Sequence, residues 1–128
     1  MKIALNEKMA NDAIPVVNAI IDGVNTNLVI DSGANVSYLD SNQFKPNDHV
    51  VNTFVTYGIG GAIDSCSCMY TTRIGNFQTE LEFALNDLSQ SMNGYTQIYG
   101  VKISGLLGAD FLKKYKCHIN FEEMNLII

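Results

Sequence analysis

The residue most in need of an explanation is Asp31, which stands directly behind the apolar run Leu28-Val-Ile30 and opens the turn Asp31-Ser-Gly-Ala34. Burying an unpaired charge at a strand end is costly, so stability alone is a poor reason for a carboxylate there. Catalysis is the most economical reason, because a fixed carboxylate can take a proton from water or from a reacting group. Two plainer readings compete with it. Asp31 as a satisfied structural carboxylate is one. The other makes Ser32 the nucleophile of a serine hydrolase, which would want a Gly-x-Ser-x-Gly elbow or a histidine base. Neither His49 nor His118 carries a companion motif.

The cysteines are the remaining candidates for chemistry. Cys66-Ser-Cys68, with Cys117 and a histidine, has the makings of a metal set. Cys66 and Cys68 as same-face residues of one strand is the simpler reading, and no metal ligand is assigned. Three cysteines is an odd number, so a complete disulfide framework within one chain is excluded.

The elements that must position Asp31 read mostly as strands. A first strand at Lys2 to Leu5 leads into a polar connector through Ala13. Ile14 to Ile21 is rich in Val and Ile with Pro15 near its start, and Asp22-Gly23 turns it into Val24 to Ile30. After the aspartate turn, Val36, Tyr38 and Leu39 continue as a strand, followed by a short turn capped by Asp40 or Ser41 and stopped before Pro46. Residues 50–74 form a hairpin broken by the glycine-rich tip Tyr57-Gly-Ile-Gly-Gly61. Phe77, Thr79, Leu81, Phe83 and Leu85 share one face of the next strand. Residues 86–104, rich in Asn and Ser, are expected to be a long surface loop with at most a brief helical turn. Residues 105–116 hold Leu106-Leu-Gly108 and then a helical pattern, and Cys117 to Phe121 and Asn125 to Ile128 close the chain as strands.

Composition narrows the function. A chain of 128 residues with 47% hydrophobic content makes one compact domain, 1–128, that can bury a core without staples. Its net charge is −5 and its longest basic cluster is Lys113-Lys114, which disfavours nucleic acid and anionic membranes. The first residues are too short and too charged for a signal peptide, and no apolar run approaches a membrane span, so a reducing cytoplasm is the expected compartment.

Four stretches together resemble the retropepsin-like aspartic proteases: Pro15 to Gly23, Leu28-Val-Ile-Asp-Ser-Gly-Ala34, Tyr57-Gly-Ile-Gly-Gly61, and Gly105-Leu-Leu-Gly-Ala-Asp-Phe-Leu112. Their order and spacing carry the resemblance, since an Asp-Ser-Gly triplet alone is common. It implies an all-β fold with one short C-terminal helix, a closed β-barrel with half an active site per chain. It further implies an aspartic endopeptidase acting as a homodimer on polypeptide substrates without a metal or organic cofactor. Asp31 would be the catalytic residue, supported by Ser32, Gly33 and Ala34. The hairpin would be a flap, with Tyr57, Gly58, Ile59, Gly60 and Gly61 contacting substrate. The alternative is a catalytically silent module of the same fold, used for dimerisation or peptide binding; a small barrel with Asp31 as the polar anchor of a ligand is a third reading.

Sliding the sequence along itself aligns Val24, Thr26, Leu28 and Ile30 with Phe77, Thr79, Leu81 and Phe83. A longer shift aligns Ser32-Gly-Ala34 with Leu107-Gly-Ala109, which puts Leu106 opposite Asp31. No second Asp-Ser/Thr-Gly exists in the chain. Retroviral relatives pair an Asp and an Arg at the positions held here by Asn35 and Ala109, so both partners of that dimer-bracing ion pair are absent. Asp110 is read as structural, and the apolar end Leu126-Ile-Ile128 as an exposed edge that a dimer sheet would cover.

Overall fold

The computed structural model describes residues 1–7, 9, 14–58 and 61–128, with backbone only at 56–58, 61, 63 and 64. Asp22 and Gly23 both adopt positive φ, 47° and 81°, as a two-residue hairpin of the type I′ class demands. That turn joins β2 (Val16–Ile21) to β3 (Val24–Ile30) in register, Ile21 facing Val24 and Val16 facing Val29. The hairpin is the start of a barrel. β3 pairs in parallel with β8 (Gly105–Leu107), β8 pairs with β4 (Tyr38–Asp40), and β4 pairs in parallel with β7 (Phe77–Asn86). β7 pairs with the long β6 (Gly61–Ile74), which returns to β2 through Ile20–Arg73 and Ile21–Thr72 and closes a six-strand barrel. β5 (Val50–Gly58) lies outside the ring, paired only to β6.

β2 and β3 are buried on both faces at Val16–Val17 and Leu28–Ile30, which is why those segments read as apolar runs, while β7 alternates over its first residues. Val17, Leu28, Ile30, Leu39, Phe83 and Leu107 fill the interior. Val16 and Val29 point outward yet are only 0% and 3% exposed, because α1 (Ser89–Tyr99) lies over them with Met92 and Tyr99. The Tyr99 hydroxyl accepts the Ile14 amide at 2.8 Å and fixes the helix to the chain entering β2.

This helix corrects the expectation of a loop over 86–104, and with α2 (Ala109–Lys114) the chain has two helices among the described residues rather than one. Its sequence hides it. The N-cap, Leu88, makes no side-chain cap bond, and Gly94 sits in the interior, where glycine disfavours helix. The signals it does carry are Met92, Tyr95 and Tyr99 on one face and Gly100 in the left-handed conformation that ends it, φ 72°. Packing on the barrel, rather than propensity, holds it.

The chain ends form a separate sheet of β1 (Lys2–Ala4), β10 (Asn125–Ile127) and β9 (His118–Asn120), with β10 in the middle. The Met1 ammonium donates to the Ile128 carbonyl at 2.9 Å, and the Ile128 amide returns a bond to Met1 at 3.0 Å. The apolar C-terminal strand is therefore no bare edge. Both its sides are taken by its own chain, and Leu126 is fully buried. No helix among the described residues is long and apolar enough to cross a membrane.

The strand registers also correct the internal repeat. A pseudo-two-fold relating β3 to β7 and β4 to β8 carries the Ile30–Leu107 pair onto Leu85–Leu39, and the Tyr38–Leu106 pair onto itself. The residue after Ile30 then matches the residue after Leu85. Asp31 falls on Asn86, not on Leu106. Because β3 and β7 run in opposite senses, these two residues stand at opposite ends of the sheet.

Candidate active site

β3 delivers Asp31 to the rim of the barrel. The Asp31 amide donates to the Leu107 carbonyl at 2.9 Å, the last rung of the β3–β8 ladder, and the Ala34 amide closes a turn onto the Asp31 carbonyl at 3.1 Å. Asp31 Oδ1 accepts the Gly33 amide at 2.9 Å. A Cβ at Gly33 would sit 3.2 Å from that oxygen, so the bond needs a residue without a side chain or a shifted carboxylate. Oδ2 has no partner among the described residues. Asp31 is half-buried while Ser32, Gly33 and Asn35 are exposed, so the carboxylate is presented at the surface on a pinned turn. Ser32 makes no hydrogen bond within the chain among the described residues.

A second loop clamps this turn from behind. The Ala109 amide, at the start of α2, donates to the Ala34 carbonyl at 2.7 Å. The Gly108 amide donates to Ser37 Oγ at 2.9 Å, and Ser37 Oγ donates in turn to Asp110 Oδ1 at 2.8 Å. Asp110 Oδ2 accepts the Ser37 amide at 3.0 Å, and Oδ1 also takes the amide of Phe111 at 2.8 Å. Gly108 is obligatory for this closeness, since a Cβ there would lie 2.5 Å from the Val36 carbonyl oxygen. Asn35 and Ala109 make no ion pair. Ser37 and Asp110 join the same two loops inside one protomer, a contact the sequence reading missed by treating Asp110 only as a helix-start residue.

The hairpin expected over 50–74 is present, with Val55 facing Asp64, Tyr57 facing Ala62 and Gly58 facing Gly61. Ile59 and Gly60 lie outside the described residues, and Tyr57, Gly58 and Gly61 are placed by backbone alone. Between the base of this hairpin and the exit of the aspartate turn lies a groove of about 520 Å³. Val36, Tyr38, Phe54 and Ala84 give it apolar walls, and Glu82 and Asp110 bring carboxylates to it.

The other chemistry-bearing residues do not converge on Asp31. Cys66, Cys68 and Cys117 are free thiols, and Cys66 and Cys68 face the barrel core from one side of β6. Burial, and then the neighbouring Cys68, push the Cys66 thiol above its ordinary range; burial does the same at Cys117. Among the described residues no three His, Cys, Asp or Glu side chains come together as a metal set. His118 is on β9 of the terminal sheet and His49 precedes β5, and neither bonds to Ser32.

The barrel thus presents one Asp31-Ser-Gly33 turn at its rim, clamped by the loop that leads into α2. The sequence matches the family model described as retroviral aspartyl protease over residues 11–120, and the chain belongs to that family. Its fold is similar to that of EIAV protease solved with the inhibitor HBY-793, at a TM-score of 0.57 and 16% identity, covering 88% of this chain and 97% of that one. A search of curated protein sequences finds no match.

Proposed function

We propose that the chain is one half of a homodimeric aspartic endopeptidase, in which Asp31 of one protomer meets Asp31 of its partner across a two-fold axis. Two carboxylates in contact cannot both ionise easily, so the pair shares a proton and titrates as a unit. The ionised member takes a proton from a bound water, which attacks the scissile carbonyl. The protonated member donates a hydrogen bond to the carbonyl oxygen as the tetrahedral intermediate forms. The water is the nucleophile, and no metal or organic cofactor is called on.

The observation that carries this reading is the open Oδ2 of Asp31 on a turn whose backbone is pinned through Leu107 and Ala109. Its counterpart within the chain is Asn86, an amide at the far end of the sheet, so a dyad needs a second chain. The exposed Ser32 hydroxyl is the group available to bond across the two-fold, with Gly33 and Ala34 shaping the turn. A polypeptide would lie extended between the Asp31 floor and the β5–β6 hairpin, paired through the backbone of Gly58 to Gly61, with Tyr57 walling a side-chain pocket.

A silent module of the same fold is the second reading. Two observations favour it: the ion pair that braces retroviral dimers is absent at Asn35 and Ala109, and the terminal sheet is completed within one protomer. Peptide cleavage at mildly acidic and neutral pH, wild type against Asp31→Asn at several protein concentrations, separates the two. Activity lost in the variant and rising faster than linearly with protein supports the peptidase. A stable dimer that cuts nothing favours the module, and cleavage that survives Asp31→Asn ends this account of the site.

A further inference from the structure

The groove beside the aspartate turn carries charge that no cation among the described residues lining it answers. Glu82 reaches it from β7, and its Oε2 accepts the Ser67 hydroxyl from β6 and the Asn52 amide from β5, the latter at 3.2 Å. Both bonds fall on one oxygen. Oε1 has no partner among the described residues, so the carboxylate is held in place with one acceptor free. Asp110 adds a second negative charge, but its two oxygens are already taken by the Ser37 amide and hydroxyl and the Phe111 amide. No Lys, Arg or His lines the groove. Among the described residues the one ion pair with Lys or Arg joins Lys2 to Glu123, in the terminal sheet region.

We infer that this groove is the subsite for a basic side chain of the substrate and that Glu82 is the residue that selects it. The inference rests on the peptidase reading for its place next to the scissile bond. A lysine or arginine fits both halves of the site. Its methylene stem lies along Val36, Tyr38, Phe54 and Ala84 while its head reaches Glu82 Oε1. A bond between two charged partners is the stronger kind, and the carboxylate is ordered before substrate arrives. An arginine can also lay its guanidinium plane over a ring of Tyr38 or Phe54. A purely apolar side chain would expel water from Glu82 Oε1 without replacing its hydrogen bond, and an acidic one would meet two like charges.

The test is a scan of one parent peptide in which each position in turn is Arg, Met or Glu, assayed for cleavage by wild type and by Glu82→Gln. Glutamine keeps an acceptor for Ser67 and Asn52 and removes the charge. The expected result is a position near the scissile bond where kcat/KM for Arg exceeds that for Met by about tenfold or more, with Glu poorest. In Glu82→Gln that ratio falls toward one, and in wild type it shrinks as salt is raised. Asp31-dependent cleavage with no such ratio, or with a ratio that survives Glu82→Gln, overturns the inference and leaves the peptidase intact. In parallel, anisotropy with the fluorescently labelled Arg and Met peptides on Asp31→Asn protein reads binding without catalysis. Arg-selective binding lost in the Asp31→Asn, Glu82→Gln double variant, with no cleavage by wild type, keeps the subsite and sinks the peptidase. Absence of selective binding together with absence of cleavage overturns both.

Discussion

Ser37 Oγ donates to Asp110 Oδ1 at 2.8 Å while accepting the Gly108 amide at 2.9 Å, across 73 and 71 residues of sequence. Ser37 is fully buried, so its hydroxyl and amide depend on this relay for their hydrogen bonds. Asp110→Ala would strand the Ser37 hydroxyl and amide together. We expect it to cost about 1–3 kcal/mol of folding stability, read as a drop in the urea midpoint. Asp110→Asn, which keeps one acceptor, should cost less. An unchanged midpoint in Asp110→Ala would show that the two loops are held by other means.

Gly108 and Gly94 make opposite predictions for the same substitution. At Gly108 a Cβ collides with the Val36 backbone, which cannot yield without moving the aspartate turn, so Gly108→Ala should lose folded protein or peptidase activity outright. Gly94 lies inside α1 with nothing within 4 Å of its Cβ position. Gly94→Ala should therefore stabilise by about 0.5–1 kcal/mol, measured by thermal melts.

The terminal sheet predicts where a crosslink forms. Lys2 and Ile127 face each other in the β1–β10 ladder of a single chain. With the native cysteines replaced, Lys2→Cys combined with Ile127→Cys should oxidise to a product that runs as one chain on a non-reducing gel. A covalent dimer as the main product would mean that the strand is exchanged between protomers.

Acid stability has a defined contributor. The Ser89 hydroxyl, the Ser89 amide and the Asn42 amide hold the Asp87 carboxyl below its ordinary range. A lowered folded pKa contributes stability that is present above the unfolded value of about 3.9 and is lost as pH falls through the folded one. Melts of wild type and Asp87→Asn should then converge below about pH 4, with the variant losing less on acidification. Equal acid slopes would remove Asp87 from the account.

Much of the site could be read from neighbours in sequence. Asp31, Ser32 and Gly33 announce themselves because a carboxylate behind Leu28-Val-Ile30 violates the local apolar pattern. The Asp22-Gly23 hairpin and the one-faced strand from Phe77 were legible for the same reason, since turn chemistry and period-two burial act over a few residues. The other half of the site was not. The Ser37–Asp110 clamp, the seat of Glu82 against Ser67 and Asn52, and the match of Asp31 with Asn86 all follow from strand register, which is set by the closing of the barrel. α1 belongs to the same class. Its own sequence favours a loop, and only the outward faces of Val16 and Val29 give it a reason to be a helix. The C-terminal strand, apolar and exposed on paper, is covered by the first residues of its own chain because the fold brings Met1 beside Ile128. Sequence alone singled out Asp31 as the candidate for chemistry, because that choice depends on local violation of pattern. Tertiary structure decided what holds it and what lies beside it, because those contacts join segments that no local rule connects.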